Sequence, residues 1–186
     1  MMNKPSPLGS AALVAIALVT TGAARPAEAA PRVGVEPTDA RAVDVDDRVF
    51  SIASAKGRPL VIVYEDRDSA KVNAATKRDL GELMKDGVIK GSLVVAAVAD
   101  VSEYDSWPAK GFVKDAIREQ SKKTGTTIWC DWSGGFRKAL ELRKGTSNVL
   151  VIGRDGRVKL AVEGALTEEQ RRELSAIVRR EASAKS

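Results

Sequence analysis

Two runs of apolar, largely β-branched residues decide what this chain can fold into. Leu60–Glu65 (LVIVYE) and Leu93–Ala99 (LVVAAVA) contain almost nothing polar. A strand with one wet face alternates polar and apolar residues, because successive side chains point to opposite sides of the sheet. Runs without alternation suit strands buried on both faces, the situation of a parallel sheet covered by helices. The segment between the runs supplies such a helix. Asp68 or Ser69 can N-cap a helix from Ala70 to Lys85, stopped near Gly87, with Val72, Leu80, Leu83 and Met84 in one stripe. A second helix is expected over residues 110–122, with Phe112, Val113, Ala116 and Ile117 on one face.

The remaining segments complete an α/β pattern. Arg48–Ile52 alternates and reads as a short strand, followed by a turn at Lys56–Pro59. Strands are expected at Thr127–Asp131, Thr146–Gly153 and Val158–Val162, with a short helix over Phe136–Leu142. Asp155-Gly156 centres a hairpin between the last two strands. Thr167 with Gln170 three residues on forms a capping box, opening a helix that turns Leu174, Ile177 and Val178 inward. The predicted order is β-β-α-β-α-β-(α)-β-β-α. Strands separated by helices should be parallel, and the closing hairpin antiparallel. The expectation is one α/β domain with a central mixed sheet and helices on both faces.

Residues 1–29 read as a secretory signal peptide. Lys4 supplies the positive start, Ala11–Val19 (AALVAIALV) the apolar stretch, and Ala27-Glu28-Ala29 the small-residue cleavage site. The apolar stretch is short for a bilayer-spanning helix; the alternative reading is an uncleaved anchor. Cleavage after Ala29 leaves a polar, extended lead-in at 30–46 and a domain at 47–182. The expected location is the periplasm, without stable membrane insertion after cleavage.

Composition removes much chemistry. The chain has no His, which excludes imidazole acid–base catalysis and most zinc and copper sites. It has one Cys, Cys130, so neither an intrachain disulfide nor a CxxC pair can form. The formal charge is +5, but the basic residues are scattered without interleaved aromatics, which argues against nucleic acid as a partner. No cofactor motif and no metal-ligand set stands out. Asp44, Asp46 and Asp47 lack the glycine and distal Glu of a calcium loop and read as a solvated acidic stretch. Cys130 sits near a strand end between Trp129 and Asp131, where Asp131 would raise its pKa. Trp107 and Trp132, with Tyr104, fall near strand ends, where open α/β sheets bind ligands.

The opening Asp47–Ile52 with Lys56–Ile62, and the hairpin Val149–Val158, resemble the corresponding stretches of the thioredoxin-like superfamily in its peroxiredoxin-type variant. Within it, Asp68–Ala74, Lys110–Lys114, Asp131–Ala139, Asp155–Val158 and Glu163–Thr167 resemble the YtfJ family of periplasmic proteins. The resemblance spans residues 45–178 and implies a fold and a compartment, with no settled activity. Thioredoxin-fold enzymes place a reactive thiolate at the start of the helix after the first core strand, where the helix dipole stabilises it. Here that place reads Asp66-Arg67-Asp68-Ser69-Ala70-Lys71, without a thiol. The position of the fold's usual cis-proline falls on Ser147.

Both departures count against disulfide exchange and peroxide reduction by the usual route. The expected function is a non-catalytic periplasmic binding or assembly module for a protein or peptide. Its candidate contact residues are Asp66, Arg67, Asp68, Ser69, Tyr104, Trp107, Trp132 and Ser147. The alternative is a one-cysteine redox protein using Cys130.

Overall fold

The computed structural model describes residues 31–87, 89 and 91–184. The signal-peptide reading of residues 1–29 lies outside them. In chain order the elements are β1 (Arg41–Val43), β2 (Val49–Ser51), β3 (Leu60–Glu65), α1 (Ala74–Lys85), β4 (Val94–Asp100), α2 (Ala109–Thr124), β5 (Ile128–Asp131), α3 (Gly135–Ala139), β6 (Asn148–Ile152), β7 (Val158–Glu163) and α4 (Glu168–Ser183).

The strands form one sheet in the order β2-β1-β5-β4-β3-β6-β7. The expected parallel pairs are β3 with β4 and β4 with β5. Strand β6 returns antiparallel to β3 and pairs with β7 across the Asp155-Gly156 turn. Gly156 has a φ of 76°, in the left-handed region that a side chain disfavours. The Thr167–Gln170 capping box forms at the start of α4.

The two faces of the sheet are covered differently. On one, Val61, Val63, Val149 and Val151 pack against Leu80 and Leu83 of α1 and Leu174, Ile177 and Val178 of α4. Helix α2 lies over Ala99 and Cys130 with Val113 and Ile117. On the other, Leu60, Ile62, Tyr64, Val98 and Leu150 meet Phe136 of α3 and the irregular segments carrying Ala40, Ile52, Leu140 and Leu142. Helices thus cover both faces, but one face has three long helices and the other a single short helix plus loops.

Four local expectations change. Helix α1 starts at Ala74 rather than Ala70, with Asn73 at the N-cap position. The Ser69 side chain is already engaged: its N–H and hydroxyl both donate to Asp66 Oδ1, at 2.8 and 2.6 Å. It therefore stabilises a turn instead of capping a helix, and Val72 is left outside α1 and exposed. The stretch read as lead-in contributes β1, which pairs with β2 and, through Val43, with Cys130 of β5. Asp44 is buried rather than solvated, accepting from the backbone N–H groups of Asp46 and Arg48 at 2.9 Å each and from the Arg48 guanidinium at 2.6 Å. Burial opposes its ionisation, but those donors outweigh burial and hold its pKa below the usual carboxylate value. On α2, Val113 and Ile117 pack inward while Phe112 is 73% exposed.

Candidate functional site

Strands β3, β4 and β5 all end at the same edge of the sheet, and β6 begins there. Three side-chain groups occupy that end.

The first fills the place where a redox pair would lie in a thioredoxin-fold enzyme. Ser147, 0% exposed just before β6, donates its hydroxyl to Glu65 Oε1 at 2.9 Å. Asn73 donates from Nδ2 to Ser147 Oγ and to the Gly164 carbonyl, both at 2.8 Å. Its Oδ1 accepts from the Leu166 N–H at 2.9 Å. The Gly164 N–H closes the ring on the Ser147 carbonyl at 2.7 Å. Lys77 of α1 pairs with the second Glu65 oxygen at 2.7 Å. The Glu65, Asn73 and Ser147 side chains are thus all partnered within the chain, and their bonds tie the two ends of the 66–72 loop to the start of β6 and to the Gly164–Leu166 segment. Of the sequence-predicted contacts here, Ser69 and Ser147 are buried, Asp66 is half-buried, and Arg67 and Asp68 face solvent.

The second group was missed by the sequence reading. Tyr64 donates to Asp131 Oδ2 at 3.2 Å, and the Arg137 N–H donates to the same oxygen at 3.0 Å. Asp100, register partner of Asp131 on the neighbouring strand, accepts from the Ser102 N–H and hydroxyl at 3.1 and 2.6 Å. The Arg137 guanidinium lies 3.8 Å from Asp100. Burial foremost, then the negative charges of Asp131 and Asp100, push the Tyr64 phenol far above its usual pKa, so it remains a hydrogen-bond donor. The signal available in the sequence was an Asp closing each of two consecutive apolar strands.

The third group is aromatic. Trp107, in the loop between β4 and α2, is 92% exposed, and Phe112 stands exposed one turn into α2. Tyr104 is half-buried against Val101 and Val45. Trp132 is buried beneath α2, with Lys110 Nζ 4.8 Å above its ring. The strand-end placement expected for Trp107 and Trp132 holds, but only Trp107 presents a surface.

Cys130 is 1% exposed. Burial foremost, then the charge of Asp44, pushes its thiol up to about 11, while Lys114 pulls the other way. The raising carboxylate is Asp44 across the β1–β5 pair, not the neighbouring Asp131, whose side chain alternates to the opposite face. Cys130 pairs with Ala99, and Ala99 with Glu65. Two strand spacings, about 10 Å, thus separate the thiol from the end of β3. Among the described residues no group of three or more His, Cys, Asp or Glu side chains is arranged to hold a metal ion.

Comparisons with known proteins agree with this architecture. Several solved structures are similar to the chain. A DsbF homologue from Corynebacterium diphtheriae matches with a TM-score of 0.59 at 13% identity, covering 83% of this chain and 95% of that one. A thiol:disulfide interchange protein of the thioredoxin family from Chlorobium tepidum matches at 0.56 and 16% identity, covering 84% and 100%. A secreted disulfide oxidoreductase of Mycobacterium tuberculosis matches at 0.52 and 17% identity, covering 74% and 92%. At such identities the likeness speaks to the fold. No relative among the curated proteins matches the sequence. Residues 94–181 match the profile of a family described as a bacterial protein of unknown function, YtfJ_HI0045, a stretch that includes Asp100, Asp131 and Arg137. The chain thus has the thioredoxin-like fold and, over residues 94–181, the sequence signature of the YtfJ_HI0045 family.

Proposed function

We propose that this protein is an exported, non-catalytic binding or assembly module built on a thioredoxin-like scaffold. One observation carries the reading: the ground a redox pair would need is occupied by the closed Glu65–Ser147–Asn73 network. A catalytic thiol has to be ionisable and reachable by its substrate. Cys130 is poorly suited on both counts, with its side chain buried and its pKa raised. Export is supported by the signal-like N-terminal sequence and by the likeness to a secreted protein of the same fold. The contact surface of the module is the open rim at Trp107, flanked by the Arg67–Asp68 loop.

The test is a dithiothreitol-coupled insulin or peroxide reduction assay on the protein and on Cys130→Ala. Both are expected to match the uncatalysed rate. Turnover in the parent protein that disappears in the variant would overturn the proposal and restore the one-cysteine enzyme.

A further inference from the structure

Helices α1 and α4 lie side by side on the sheet, and the groove between their outer sides has a volume of about 790 Å³. Its apolar lining is limited to the buried Leu83 and the exposed, small Ala176, so another surface can approach closely. Its walls differ in sign. Helix α1 and its C-cap supply Asp79, Glu82 and Asp86 against one Lys85, whereas α4 supplies Arg171, Arg172 and Arg179 against one Glu168. Two ion pairs cross the groove, Arg171 to Asp79 at 3.7 Å and Arg179 to Asp86 at 2.6 Å. These pairings make α1 and α4 run in the same direction with matched heights. Among the described residues Glu82 and Arg172 form ion pairs along their own helices, with Lys85 and Glu168, and their side chains are 73% and 74% exposed.

A groove of this kind selects against simple ligands. An anion, nucleic acid included, would meet three carboxylates on one wall, and a cation would meet three guanidinium groups on the other. The complementary occupant carries both signs side by side in the reversed arrangement. A second copy of this chain has that property. A two-fold rotation about an axis along the groove places the acidic wall of each protomer over the basic wall of its partner. Because that rotation preserves height along the axis, the charges meet in the register they already have within one chain. A two-fold axis across the groove would instead set like charges together. We propose that the protein self-associates through the α1–α4 face about an axis along this groove, with Glu82 of one protomer reaching Arg172 of the other across a height difference of two to three helical residues, roughly 4 Å. The strand-end surface of the proposed function lies elsewhere, so the thiol assays neither support nor sink this interface.

Sedimentation equilibrium of the purified protein tests it. Self-association is expected at low salt and should weaken as salt is raised, since the pairs are solvent-exposed. Arg172→Glu and Glu82→Arg should each weaken the dimer about tenfold, because a two-fold interface repeats every altered contact. The double variant should return to within about threefold of the parent. Both side chains are exposed, and unchanged thermal melts would show that the variants fold. A parent protein that stays monomeric at every concentration overturns the proposal. So does a dimer indifferent to either single reversal, or a double variant as weak as the singles.

Discussion

The loop that leaves β3 and the loops that leave β4 and β5 sit at one end of the same sheet, yet they are finished in opposite ways. After β3, polar side chains turn inward and consume one another: Glu65, Asn73 and Ser147 leave no inward-facing donor for a visitor. After β4, the chain turns its largest aromatic outward, with Trp107 exposed beside α2. The comparison teaches that this fold can keep its frame while its usual reactive position becomes structural support. Under the proposed function, contact with other molecules falls to the neighbouring rim.

The difference can be attacked by substitution. Asn73→Ala should have the largest effect, destabilising the fold by about 3 kcal/mol. It orphans the Gly164 carbonyl and the Leu166 N–H in a part-buried setting and removes the donor to the buried Ser147 hydroxyl, and each such group costs about 1–3 kcal/mol where water cannot replace the partner. Urea unfolding at constant m-value measures it. Asp131→Ala should cost less, about 2 kcal/mol. It strips an acceptor from Tyr64 and from the Arg137 N–H but also removes a negative charge beside Asp100. Trp107→Ala should change stability by less than about 0.5 kcal/mol, as expected for an exposed side chain outside the core. The contrast between a sealed and an open region breaks if Asn73→Ala proves as mild as Trp107→Ala. It sharpens if Asn73→Ala also makes the 66–73 backbone exchange its amide hydrogens faster while the rim is unaffected.

Much of the frame was legible in the residues. Leu60–Glu65 and Leu93–Ala99 announced buried strands because nothing in them could face water. Thr167 and Gln170 announced the start of α4 because their side chains satisfy each other's backbone donors. What was not legible depended on partners far away in the chain. Arg41–Val43 is too short to read as a strand, and becomes one by pairing with β2 over three residues and meeting Cys130 through Val43. Ser69 is the exception: it has the chemistry of a helix cap, yet it spends its side chain on Asp66 only three residues back. Phe112 fits a buried helical stripe by spacing, but α2 packs only through its Val113 and Ile117 side. At the candidate site, the missing redox pair was visible by absence. The Tyr64–Asp131 bond joins residues 67 positions apart and had no local signal.

Asn73 also bears on the order in which the molecule can be completed. Its amide reaches 74 residues ahead to Ser147 and 91 ahead to Gly164. Ring closure over such spans contributes only after the intervening strands have paired, because the lost loop entropy must first be offset. A chain that appears N-terminus first therefore carries an unlatched β3–α1 junction until the β6–β7 hairpin arrives to fasten it.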